Sequence, residues 1–226
     1  KKTIADALPN QSAPAQVRLI KAVGELKYLP ALASITTFTS NNNTLLKRQS
    51  LWSVALLADA SSYQALLQQA KNVEFKNDPA EATTALVEYL HQMTTKGNNT
   101  LVKEISKEIL DNTLNTSQQH FRLAGLKALA QVDPEATLAI LVKERIRFDD
   151  EYKKEVLKIA TASAGSAKAM KLWQKEYKKA TGADQADILR MLAKANHKES
   201  FVEAMLLPAL SSKNKNFCFE QIINPY

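Results

Sequence analysis

A single cysteine, Cys218, is present, so no intrachain disulfide can hold this chain together. Glycine and proline are scarce, at five and seven of 226 residues. Period-two alternation of β-branched residues is nearly absent, with Ser34 to Thr39 the one stretch that competes as a strand. Those shortages speak against a sandwich or barrel. No apolar run reaches the roughly 18 residues that a membrane span needs. A Gly-rich phosphate loop and a Gly-x-Ser-x-Gly nucleophile turn are both missing. The three histidines, His91, His120 and His197, lie far apart, and none has a partner at metal-ligand spacing. No catalytic residue, metal site or cofactor is therefore expected, and the segment reads as not an enzyme. Cys218, between Phe217 and Phe219, reads as a buried inert thiol.

What is abundant is alanine, leucine, lysine and glutamine, which favour helix. The clearest stretch is Phe121 to Leu141. Phe121, Leu123, Ala124, Leu126, Ala128 and Leu129 recur at three- and four-residue spacing, the period of one buried helix face. Asp133-Pro134 then breaks the pattern. Asp133 suits a helix cap, and Pro134 suits a first turn whose N–H has no partner anyway. A second helix follows, with Ala136, Leu138, Ala139, Leu141 and Val142 expected inside.

The same arrangement recurs along the chain. Val17 to Leu26 is followed by a segment opening at Pro30, with Leu32, Ile35 and Phe38 on its apolar side. Leu45, Leu46, Leu51, Trp52, Val54, Ala55 and Leu56 precede an Asp59-capped helix carrying Tyr63, Leu66, Leu67 and Ala70. Asp78-Pro79-Ala80-Glu81 reads as a helix start. That helix should bury Ala82, Ala85, Leu86, Tyr89, Leu90 and Met93, and its partner Leu101, Ile105, Ile109 and Leu110. A fifth unit runs from Asp149 and turns at Ala164-Gly165-Ser166. The acids Asp149-Asp150-Glu151 sit at its start, where negative charge favours the helix dipole. A sixth starts near Asp184 and returns through Phe201 to Leu210.

Comparable positions fall at 20, 51, 86, 126, 156 and 189, giving steps of 31, 35, 40, 30 and 33. A period of that size is the mark of a helical solenoid whose units bury their faces on one another. The expected fold is all-α, a right-handed α-solenoid of about six helical hairpins. Residues 13–210 form the array. Residues 1–12 are the remnant of a preceding element or a cap, and 211–226 are a tail or the start of a further segment. The chain opens at Lys1 rather than methionine, as expected of a processed or truncated piece.

The units resemble HEAT-like repeats of the armadillo type, in their small-and-leucine first helices and variable length. The segments Val17 to Gly24 and Phe121 to Leu129 also look like repeat regions of large secreted Bacteroidota proteins, which carry a concanavalin-like domain of the 3-keto-disaccharide hydrolase kind elsewhere. That resemblance implies an extracytoplasmic accessory region, periplasmic or secreted rather than cytoplasmic. Any carbohydrate chemistry would then lie in another segment. The partner would be a protein or an attached domain of the same chain.

Charge supplies a second reading. The net charge is +7, and by thirds it runs +4, −2 and +5. In the basic last third, Lys168, Lys171, Lys175 and Lys178 share one helix face, with Trp173 and Tyr177 on another. Lysines in a row can grip phosphates and aromatics can stack on bases. Some HEAT-like proteins are DNA glycosylases, so a basic nucleic-acid groove is the alternative to protein interaction. The bland alternative for the same helix places Trp173 and Tyr177 in the core.

Overall fold

The computed structural model describes residues 4–195. Every regular element among them is helical. They fall into two compact units that divide between Val132 and Asp133. The return helix expected over 201–210, the tail, His197 and Cys218 lie outside the described residues.

The first unit contains α1 (Ile4–Ala7), α2 (Ala13–Glu25), α3 (Leu32–Thr36), α4 (Thr44–Leu57), α5 (Tyr63–Asn72), α6 (Ala82–Thr95), α7 (Asn99–Asn112) and α8 (Gln119–Val132). Helices α2, α4, α6 and α8 pack in series, each on the next, while α3 packs on α4, α5 on α6, and α7 on α6 and α8. This is repeated helical packing, and the recurring apolar positions supply it. Ile20, Val23, Leu51, Val54, Leu86, Leu90 and Leu126 are all buried. The Ser34–Thr39 stretch is helical, split between α3 and a 3-10 turn over Thr37–Ser40.

Close approach between α2 and α4 depends on one glycine. A Cβ on Gly24 would lie 2.7 Å from the Ser53 hydroxyl and 2.8 Å from the Ser53 Cα. Beyond this contact the corners are closed by lysines. Lys96 donates to the Leu57 and Ala58 carbonyls at 3.2 and 2.6 Å, and Lys27 donates to the Leu56 carbonyl. Both cations sit on the unpaired carbonyls that end α4, where the helix dipole is negative.

Several local expectations need correction. Helix α6 begins at Ala82, not at Pro79. Asp78 accepts from the backbone N–H groups of Ala80 (2.8 Å) and Ala82 (2.7 Å), so it stabilises a turn ahead of the helix. Glu81 then takes a left-handed conformation, with φ 54°. Leu26 and Leu45, expected inside, are exposed. Phe75 lies in what reads as a plain connection, yet it is buried. The Gln118 side chain ties that connection down by donating to the Glu74 carbonyl at 2.8 Å and the Phe75 carbonyl at 3.3 Å.

The second unit contains α9 (Pro134–Glu144), α10 (Asp150–Ser163), α11 (Ala167–Lys179) and α12 (Gly182–Ala195). Asp133 caps α9 by accepting from Ala136 N–H at 3.2 Å, and Asp149 caps α10 by accepting from Tyr152 N–H at 2.8 Å. Those caps are where the sequence places them. Helix α9 packs on α10 and α11, and α12 packs on α10 and α11. Ala136 and Ala139 are exposed rather than buried; Thr137, Leu138 and Leu141 form the inner face. Helix α8 packs on α6 and α7, so the two helices of the clearest sequence hairpin take their cores from different units.

Candidate functional site

The strongest candidate site lies in the first unit, on the outer side of α4. Its residues Leu45, Arg48, Gln49 and Trp52 follow a three- and four-residue spacing, so they line one stripe along the helix. Val17 of α2 borders it on one side and Glu81, just before α6, on the other. Together these six residues line an open cleft of about 490 Å³. The floor is mostly apolar. Leu45 is 67% exposed, and Trp52 is half-buried.

Local sequence explains the position of each wall. Asn43 caps α4 by accepting from Leu45 and Leu46 N–H at 3.0 and 3.2 Å, which starts the helix one turn below Arg48. Because Leu46, Ser50, Leu51, Ser53 and Val54 occupy the buried side, the 45/48/49/52 stripe is left outward. The left-handed turn at Glu81 aims its carboxylate back, and Arg48 pairs with it at 2.5 Å. Both side chains keep substantial exposure, 51% and 37%, so the pair contributes little to stability and stays available to a ligand. Sequence reasoning placed Leu45 and Trp52 in the core. The signal it missed is that α4 carries apolar residues on more than one face.

The lysine-rich helix places its residues differently from the nucleic-acid expectation. Trp173 is fully buried and its indole N–H has no hydrogen-bond partner among the described residues. It therefore offers no face for stacking, because the second unit's core needs a large apolar side chain there. Tyr177 is half-buried. Lys168, Lys171, Lys175 and Lys178 are all exposed. Lys168 pairs with Glu135 at 3.0 Å.

A second cluster joins the helices of this unit. Arg145 is 6% exposed and donates from one guanidinium nitrogen to both Asp184 carboxylate oxygens at 2.9 and 2.7 Å. It also faces Glu176 at 3.5 Å. The Tyr152 hydroxyl donates to Glu144 at 2.6 Å, and Lys153 pairs with Asp187 at 2.7 Å. Burial pulls the Lys153 amine down, but the hydrogen bond and charge of Asp187, with the charges of Asp150 and Asp184, together hold the amine above its ordinary value. The Lys179 hydrogen bond, aided by the Lys179 and Arg145 charges, holds the Glu176 carboxyl below its ordinary value against burial. These pairs link α9, α10, α11 and α12, so the cluster reads as a clasp, although the Arg145 Nε has no hydrogen-bond partner among the described residues.

His91 and His120 are both exposed and stand on α6 and α8. Among the described residues no group of three or more His, Cys, Asp or Glu side chains could hold a metal ion. No described helix is long and apolar enough to cross a membrane.

No family model matches the chain, and no curated protein matches it. Nothing in the comparisons joins it to secreted proteins with a 3-keto-disaccharide hydrolase domain. Among solved structures it is similar to a chain in the complex of CpcE and CpcF of phycocyanin lyase from Nostoc sp.. That likeness has 12% identity and a TM-score of 0.42, and covers 85% of this chain and 81% of the other. At that level it assigns no activity to this chain. The expectation that the segment is not an enzyme is corrected: the solved structure it resembles is named as that of a phycocyanin lyase.

Proposed function

We propose that the first unit is a HEAT-like helical array that docks a protein partner on the α4 stripe. The observation that carries this reading is Trp52, a large aromatic left partly exposed beside an exposed leucine and an open ion pair. Tryptophan and arginine dominate the energetic centres of protein interfaces, where a ring fills area at little entropic cost. The cleft suits one or two anchoring side chains and not a polymer. An amphipathic helix of a partner protein fits best. Its apolar face would cover Val17, Leu45 and Trp52, and its flanking acid and base would meet Arg48 and Glu81.

The test is a selection of displayed random peptides against the wild-type chain, with Trp52→Ala as counter-target. Peptides that share an apolar anchor and lose at least about 2 kcal/mol on Trp52→Ala, roughly thirtyfold in Kd, support the reading. Enrichment that is equal on both targets overturns it.

A further inference from the structure

The lysine stripe of α11 has a feature that local stability does not explain. Lys168, Lys171, Lys175 and Lys178 follow one another at steps of three, four and three, each about one turn from the next. Side chains so spaced face one another on the helix surface, and like charges there repel. Ten residues of helix make the row roughly 15 Å long. Helix α10 handles its lysines otherwise. Lys154 pairs with Glu151 at 3.1 Å and Lys158 pairs with Glu155, each within a single turn. On α11 the one carboxylate, Glu176, is engaged by Lys179 and Arg145 on the inner side. Lys168 stands in the first turn, where the dipole disfavours a cation, and only Glu135 offsets it. Lys171, Lys175 and Lys178 have no carboxylate partner among the described residues. The row's orientation is fixed, because Ala169 and Trp173 are fully buried on the opposite side.

We propose that this row docks an acidic helical segment of a partner protein whose carboxylates recur at the same three- and four-residue spacing. Charge complementarity carries the choice of occupant. A helix with carboxylates at those steps meets the lysines rung by rung. Nucleic acid is the poorer fit. Its usual supports, a guanidinium fork and a stacking aromatic, are missing from this face, since all four cations are lysines and Trp173 is turned inward. Because the row lies in the second unit, the inference does not rest on the α4 stripe.

The experiment measures fluorescence anisotropy of a labelled helical peptide bearing glutamates at steps of three and four, titrated with the full chain at low and high salt. Two probes accompany it: a peptide of the same composition in scrambled order, and a short DNA duplex. The expected result is salt-sensitive binding of the ordered peptide, at least about tenfold tighter than the scrambled one, and lost in Lys171→Glu/Lys175→Glu/Lys178→Glu. A lysine-ladder peptide should bind that triple variant and not the wild type, which also shows that the variant is folded. Equal binding of ordered and scrambled peptides, insensitivity to the triple variant, no binding at low salt, or tighter binding of the duplex would each overturn the proposal.

Discussion

Replacing Gly24 with alanine sets two effects of opposite sign against each other. Gly24 lies inside α2 with no left-handed backbone demand, so helix propensity alone predicts that alanine stabilises by about 0.5–1 kcal/mol. Packing predicts the reverse. The new methyl would stand 2.8 Å from the Ser53 Cα, and a backbone atom cannot swing away as a flexible side chain can. Helices α2 and α4 would have to separate, at about 1–3 kcal/mol for overpacking. Contacts this short to a backbone atom put the cost in the upper part of that range, about 2–3 kcal/mol, so the net expectation is a loss of about 1–2.5 kcal/mol. Urea unfolding followed by Trp52 emission reads it, because Trp52 stands on α4 itself. Gly125→Ala is the control. Its methyl would meet the Ile109 side chain at 3.2 Å, which can yield, so its cost should be smaller. A Gly24→Ala chain as stable as wild type, or more so, would refute the close contact between α2 and α4.

Two further outcomes concern the second unit. Arg145→Met should lower its stability by about 2–3 kcal/mol, read by Trp173 emission in urea, because it strands Asp184 and Glu176, and adding Asp184→Leu should restore part of the loss. The depressed Glu176 carboxyl predicts a pH dependence with a defined sign. Its contribution is fully present above the ordinary value of 4.5 and is lost as pH falls through the lower folded value, so the Trp173 transition midpoint should drop only below about pH 4.5, and less so in Glu176→Gln.

The helical architecture was legible because burial follows period. Ile20, Leu51, Leu86, Leu126, Val156 and Leu189, the positions that align the repeats, are all buried. The caps at Asp133 and Asp149 form because each needs only local backbone. What could not be read is what depends on distant partners. The Asp78 start moved to Ala82 because Asp78 closes a turn first. Gln118 and Arg122 look like ordinary surface residues, yet both are buried. Arg122 donates to the Leu110 and Thr113 carbonyls at 2.5 and 2.9 Å, closing the end of α7. Of the two tryptophans only Trp52 departs from the plain amphipathic reading, which puts Trp173 in the core. Trp52 belongs to an apolar run yet reaches the surface, while Trp173 sits among lysines yet is the largest fully buried side chain. Single-helix periodicity ranks faces, but only packing decides which apolar face is left over.

The docking role of the α4 stripe is tested most directly through Trp52 itself. Trp173→Phe leaves Trp52 as the sole tryptophan and breaks no hydrogen bond among the described residues, where the Trp173 indole N–H makes none. Titrating that variant with a selected peptide should shift Trp52 emission to the blue and protect it from acrylamide quenching, in step with binding. A peptide that binds while Trp52 emission and quenching stay unchanged would contradict the account.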